Sequence, residues 1–215
     1  MTTNDSCPTG KTGYPSDCEI TQRLREQAAA KMQQADRGYA WKASFPKAKL
    51  VKLLLLDVDG VLTDGTIFFT HEGTETKGFN TQDGFGIRLL KQIGVDVGLI
   101  TARTSQAVSK RAENLGLRHV YQGVDNKVEA FNQLMNTLNI DPEQIGYVGD
   151  DWLDFPLLQR VGFPVAVANA VEEVKQLAAY VTKRAGGQGA VREVCDLIID
   201  AKNMHDTLLK EFLGR

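Results

Sequence analysis

Cysteine and histidine are scarce in this 215-residue chain, and each absence removes a class of chemistry. The three cysteines, Cys7, Cys18 and Cys195, form neither a metal-ligand spacing nor an even disulfide set, which argues against a zinc module and a disulfide scaffold. His71, His119 and His205 are scattered among polar neighbours and suit surface roles. No apolar run approaches the roughly 18 residues that span a bilayer. The net charge is −2, without a basic patch or an acidic block, so neither nucleic acid nor membrane is an expected partner. The stretch Met1–Pro15 lacks the apolar core of a secretory signal, and a cytoplasmic protein is expected.

What remains is an ordinary globular composition, 42% hydrophobic and 24% charged. Residues 1–18 read as disordered, being rich in Thr, Asn, Ser, Gly and Pro. From Glu19 to Asp36 the chain is helix-permissive, with Ile20, Leu24, Ala28 and Met32 on a thin apolar stripe. Residues 1–45 are therefore read as an N-terminal extension, 46–203 as the main domain and 204–215 as a helical tail. Within the domain the pattern predicts strands over Val51–Leu56, Val95–Ile100, His119–Tyr121, Ile145–Val148 and Pro164–Ala168. Helices are predicted over Phe85–Gln92, Ser105–Leu115, Lys127–Leu138, Leu153–Val161 and Val171–Leu177. This alternation predicts an α/β fold, a Rossmann-like parallel sheet with helices on both faces. Residues 66–79, turning at His71-Glu72-Gly73, read as a β-hairpin inserted after the first strand. The Gly-rich run Ala185–Ala190 is no phosphate-binding P-loop, because no Gly-Lys-Ser/Thr follows. A flexible linker and a close backbone approach both remain open for it.

The chemistry concentrates at strand ends. Asp57-Val58-Asp59-Gly60-Val61 follows Leu53-Leu54-Leu55-Leu56, a short apolar run that reads as a buried strand. Its two carboxylates, one residue apart, point in different directions on an extended backbone, so one can attack or hold a metal while the other handles a proton. A calcium loop is excluded, because its fifth, sixth and twelfth positions would be Val61, Leu62 and Phe68. Thr101 ends the next strand, Lys127 opens a helix, and Gly149-Asp150-Asp151 with Asp154 ends another strand. Singly, Thr101, Asp150 and Asp151 are ordinary helix caps and Lys127 an ordinary solvated lysine. Together, at one edge of a parallel sheet, Asp57 and Asp150 make a hard-oxygen site suited to Mg²⁺. Thr101 and Lys127 add a hydroxyl donor and a compact positive charge for phosphoryl oxygens.

The order D-x-D-G-V, Thr, Lys, G-D-D-x-x-D resembles that of the haloacid dehalogenase-like (HAD) phosphohydrolases. Over residues 50–201 the chain is similar, more narrowly, to the capless 3-deoxy-D-manno-octulosonate 8-phosphate (Kdo 8-phosphate) phosphatases of lipopolysaccharide synthesis. The stretches responsible are Leu56–Gly65, Asp83–Ile87, Tyr147–Asp151 and Gly186–Glu193. The resemblance implies Asp57 as nucleophile through an aspartyl-phosphate, and Asp59 as general acid and base. It implies Mg²⁺ held by Asp57, the Asp59 carbonyl and Asp150, with Asp151 and Asp154 supporting and Thr101 and Lys127 on the phosphoryl group. Gln82, Arg103, Gly187 and Arg192 are the implied contacts to a small sugar-acid phosphate. A homotetramer is implied as well, in which a neighbour's hairpin and Gly-rich segment enclose a site that has no cap domain. Relatives usually carry Arg where Gln82 stands and Asp where Asn169 stands. A nonulosonate 9-phosphate phosphatase is the nearest rival, and a non-catalytic scaffold on the same fold is the rival of a different class.

Overall fold

The computed structural model describes residues 19–24 and 38–214. The chain forms two compact units, Met1–Tyr39 and Ala40–Arg215. In the first, residues 19–24 lie in a helix, α1, with Ile20 and Leu24 exposed. The disorder expected for 1–18 and the rest of the helix expected to 36 lie outside the described residues.

Ahead of the first strand the structure has two short helices that the sequence pattern did not signal, α2 (Gly38–Ala43) and α3 (Phe45–Leu50). The compact unit thus takes in Ala40–Phe45, which the sequence had grouped with the extension. Trp41 is the reason: it is buried and packs edge-on to Tyr180, with ring centroids 5.9 Å apart.

The sheet has six parallel strands in the order β5-β4-β1-β6-β7-β8. They are β1 (Leu53–Leu56), β4 (Asp96–Ile100), β5 (His119–Tyr121), β6 (Ile145–Gly149), β7 (Phe163–Ala166) and β8 (Tyr180–Val181). All four side chains of β1 are buried, as expected of a central strand covered on both faces. Full burial of one such leucine contributes about 1.5–3 kcal/mol. The intervening helices are α4 (Thr81–Gln92), α5 (Gln106–Leu115), α6 (Lys127–Leu138), α7 (Phe155–Leu158) and α8 (Glu172–Leu177), followed by α9 (Ala190–Ala201) and α10 (His205–Leu213). The chain first steps outward from β1 to β4 and β5, then returns to β6, β7 and β8. With right-handed crossovers, that reversal puts α4 and α5 on one face and α6, α7 and α8 on the other. Helix α9 packs on α4 and α3, on the first face.

Two boundaries depart from the periodic pattern for identifiable reasons. Helix α4 starts at Thr81, ahead of Phe85, because the Asn80 side chain accepts a hydrogen bond from the Gln82 backbone N–H at 2.8 Å. The helix expected over Leu153–Val161 is a 3-10 turn, Trp152–Asp154, followed by the single turn α7. Asp154 folds back onto the preceding backbone there. The inserted hairpin is present as the antiparallel pair β2 (Phe68–Phe69) and β3 (Glu75–Thr76).

Candidate active site

The reversal of strand order falls between β1 and β6, where open α/β sheets bind ligands at their carboxyl ends. Asp57 follows β1 directly, and its N–H donates to the Val148 carbonyl at 3.0 Å, which extends the β1–β6 ladder by one rung. Beyond it the chain turns sharply. The amides of Val61, Leu62 and Thr63 all donate to the Val58 carbonyl, and the buried Thr63 hydroxyl accepts from Gly60 and Gly65. Gly60 has φ +87°, and a Cβ there would lie 2.0 Å from an Asp150 carboxylate oxygen. Only glycine lets the β1 loop approach Asp150 so closely.

Carboxylate oxygens of Asp57, Asp150 and Asp154 lie within 4.8 Å of one another. Lys127, at the start of α6, sits among them nearly buried. Its Nζ donates to Asp57 Oδ1 at 2.8 Å, Asp154 Oδ1 at 2.7 Å and Tyr147 Oη at 3.1 Å. Burial alone would lower the Lys127 pKa, but Asp57 and Asp154 outweigh it and hold the ammonium above its ordinary value. Tyr147 Oη donates to Asp154 Oδ1 at 2.5 Å, and burial pushes its own pKa well up. The other Asp154 oxygen accepts from the backbone N–H of Asp150 at 2.8 Å and of Asp151 at 3.4 Å. Asp154 is therefore a saturated brace that aims Asp150 and Lys127.

Asp57 and Asp150 are left in an electrostatically expensive position. Burial, then the Asp154 charge, pushes Asp57 up to about 6 against the pull of Lys127. Burial, then Asp57, Asp154 and Asp151, pushes Asp150 up to about 8. Two carboxylates so placed fit a hard divalent cation, which would relieve the burial cost and the mutual repulsion together.

Asp59 points elsewhere, toward the hairpin. Its Oδ1 receives Lys77 Nζ, its Oδ2 lies 3.9 Å from Arg103 Nε, and that Oδ2 is buried with no hydrogen bond. Glu75 joins Lys77 at 3.0 Å and Arg103 at 2.6 Å. Those hydrogen bonds, Arg103's first and then Lys77's, pull Glu75 down to about 2. Thr101 is buried, and its hydroxyl accepts from the Arg103 N–H at 3.3 Å. Asp151 is exposed and accepts from the Trp152 N–H at 2.7 Å, capping the 3-10 turn.

The Gly-rich segment proves to be a close backbone approach. Gly187 N–H donates to the Val61 carbonyl at 3.0 Å, and a Cβ on Gly186 would meet the Gly60 carbonyl oxygen at 1.7 Å. Asn169 Oδ1 accepts from the Gly186 N–H at 2.8 Å, so the amide at this position supports the loop as a carboxylate would. Gly186→Ala is expected to destabilise the protein by about 1–3 kcal/mol through overpacking, read as a lowered urea midpoint.

Two expected substrate contacts, Gln82 and Arg192, are engaged by partners outside the carboxylate cluster. Gln82 accepts from Arg184 Nη1 at 2.8 Å. The Arg192 guanidinium lies over Phe85 and pairs with Asp196 at 2.8 Å, while the Arg192 backbone N–H donates to Asp83 Oδ1 at 2.7 Å. Arg103 does reach Asp59, and Gly187 borders Asp64. Sequence reasoning missed Tyr147, Lys77 and Glu75. A tyrosine in an apolar strand and two charges in a hairpin carry no local signal of what they will face.

Among known proteins, a haloacid dehalogenase-like hydrolase family model matches residues 119–194. The 3-deoxy-D-manno-octulosonate 8-phosphate phosphatase of Escherichia coli K12 is 48% identical over 160 residues, 74% of this chain and 85% of that protein. The chain belongs to the 3-deoxy-D-manno-octulosonate 8-phosphate phosphatase family of HAD-like hydrolases. Solved members of this family share its fold. The Moraxella catarrhalis phosphatase, crystallised with a magnesium ion, a phosphate ion and Kdo, is 43% identical with TM-score 0.76, covering 78% of this chain and 97% of its own. The Yersinia pestis enzyme is 45% identical with TM-score 0.74, covering 75% and 88%.

Proposed function

We propose that this protein is a Mg²⁺-dependent phosphatase that hydrolyses Kdo 8-phosphate to Kdo and phosphate, a step in making lipopolysaccharide precursors. The observation that carries the reading is the cluster of buried Asp57, Lys127 and Asp154 with half-buried Asp150 at the switch point of the sheet. Carboxylates gathered around a buried lysine at the ligand-binding edge of the sheet favour catalysis over a scaffold. Kdo 8-phosphate is favoured over a nonulosonate 9-phosphate because the relatives are phosphatases of the former.

Asp57, Asp150 and the Asp59 carbonyl would hold Mg²⁺, which neutralises charge on the phosphoryl oxygens when bound. The chain's own residues do the rest. Asp57 attacks phosphorus with a carboxylate oxygen while the bond to the sugar oxygen breaks, and Asp59 protonates that oxygen. Asp59, now a carboxylate, takes a proton from the water that attacks the aspartyl-phosphate, releasing phosphate and restoring Asp57. Lys127 balances the charge of Asp57 and of the transferred group, and Thr101 offers it a hydroxyl. Arg103, beside Asp59, is the substrate contact that the geometry favours among those expected; Gln82 lies on α4, Arg192 on α9 and Gly187 in the Gly-rich loop.

The test is phosphate release from Kdo 8-phosphate with Mg²⁺ and with EDTA, beside a nonulosonate 9-phosphate and other sugar phosphates. Strong Mg²⁺-dependent preference for Kdo 8-phosphate is expected. Preference for the nine-carbon acid would replace the substrate, and no turnover of any ester would replace the enzyme by a scaffold.

The homotetramer belongs to the same reading. Ile67, Phe68 and Phe69 are exposed on the hairpin, and contiguous apolar side chains on a two-stranded ribbon favour burial against another copy. Changing Phe68 and Phe69 together to Asp is expected to lower the mass seen by light scattering; an unchanged mass would remove the hairpin from the assembly. Among the described residues no helix is long and apolar enough to cross a membrane, and a cytoplasmic location accords with a phosphorylated precursor as substrate.

A further inference from the structure

We propose that Lys77, carried in by the hairpin, is a positioning residue that orients the Asp59 carboxylate for proton transfer. The proposal rests on the reading of Asp59 as the acid and base of phosphate-ester hydrolysis.

Four charges alternate in a closed set. Lys77 Nζ pairs with Asp59 Oδ1 and with Glu75 Oε1 at 3.0 Å, Glu75 Oε2 takes Arg103 Nη2 at 2.6 Å, and Arg103 Nε stands 3.9 Å from Asp59 Oδ2. The Lys77 side chain is only 1% exposed. Burying an ammonium and ordering a four-carbon stem both cost free energy. Its ammonium is paired with two carboxylates, Asp59 and Glu75.

The two Asp59 oxygens end up unlike each other. Oδ1 is taken by Lys77, whereas Oδ2 is buried with no hydrogen bond, the Arg103 distance being too long for one. A buried carboxylate oxygen without a donor calls for an explanation. The explanation here is division of labour within one side chain. The Lys77 ion pair stops rotation about the terminal torsion and reserves Oδ2 as the oxygen that carries the proton. In the first step Oδ2–H gives its proton to the leaving sugar oxygen as the P–O bond breaks. In the second, Oδ2 takes a proton from water as its oxygen bonds to phosphorus and the Asp57–phosphorus bond breaks. A carboxylate free to swing would spend much of its time with neither oxygen aimed at the ester. Because Lys77 stands beyond β3, the inserted hairpin sets the acid–base geometry of the sheet's active site.

If Lys77 only pins the hairpin, its removal harms every substrate alike. If it aims Asp59, removal harms esters in proportion to their need for a proton on the leaving group. An alkyl ester such as Kdo 8-phosphate needs that proton, whereas p-nitrophenyl phosphate leaves as a stable anion. The experiment compares Lys77→Met with the unaltered protein on both esters in Mg²⁺, with first-turnover release of p-nitrophenolate recorded by stopped flow. The expected result is a loss in kcat on Kdo 8-phosphate on the order of 100-fold, with KM little changed. The p-nitrophenolate burst should fall by less than about 5-fold, since general acid assistance contributes little there. Equal losses on the two esters, or a loss confined to KM, would overturn the proposal. Thermal melting run alongside reports folding. Should the Met variant not fold, Lys77→Arg carries the test, with a smaller loss of the same selectivity expected and a uniform loss overturning it. Failure of the unaltered protein to turn over either ester would sink the phosphatase reading first, and the proposal with it.

Discussion

Asp57→Asn is expected to abolish phosphate release, by a factor on the order of 10⁴ or more, while leaving the protein folded. An amide oxygen cannot form the acyl-phosphate that a carboxylate forms, so the loss belongs to kcat. Folding should survive because the Asp57 charge is a burden in the metal-free protein. Its pKa is pushed up to about 6 by burial and by Asp154, so ionising it costs the folded state more than the unfolded one. Lys127 keeps Asp154 at 2.7 Å as its partner after the change. A melting temperature in EDTA equal to or above that of the unaltered protein is expected from calorimetry. A variant that still releases phosphate within about tenfold of the unaltered rate would show that Asp57 is no nucleophile.

Asp150→Asn is expected to act in opposite directions on stability and on metal binding. Burial, then Asp57, Asp154 and Asp151, pushes Asp150 from 3.8 up to about 8. Between those pH values the unfolded chain gives up the proton while the folded protein keeps it. Without metal, this group therefore lowers stability as pH rises through the window. Asparagine cannot ionise, so at pH 7–8 the variant should melt higher than the unaltered protein in EDTA. Magnesium should reverse the order. A cation that binds only the folded state raises the melting temperature by mass action, and loss of a carboxylate ligand should weaken Mg²⁺ by on the order of 100-fold or more. Melts at pH 6, 7 and 8, with EDTA and with Mg²⁺, check both arms. A lower melting temperature in EDTA would overturn the stability arm, and an equal Mg²⁺ shift in both proteins would remove Asp150 from the metal site.

The sequence by itself determined five of the six strands of the sheet, missing the two-residue edge strand Tyr180–Val181, and placed carboxylates, a threonine and a lysine at strand ends and a helix start. Leu53–Leu56 followed by Asp57-Val58-Asp59-Gly60 is a local message, since an apolar strand ending in carboxylates and a glycine turn can be read within ten residues. The same holds for Thr101, for Lys127 at a helix start and for Gly149-Asp150-Asp151, so the parallel sense and the shared edge followed from alternation, whereas the order of the strands did not. Tertiary structure decided who faces whom. Lys127 meets Asp57 across 70 residues of chain, and only folding makes Asp154 the brace of Lys127 and Asp150. Tyr147 reads as one more buried strand residue until its hydroxyl is seen on Asp154. Lys77 and Glu75 read as ordinary hairpin charges until the hairpin closes on Asp59. Gly186 lay open between linker and close approach until its backbone was found against Gly60. Hydrophobic period and turn chemistry are properties of neighbours in sequence, and they set the elements. Ion pairs and glycine clearances are properties of neighbours in space, and they exist only once the elements have packed.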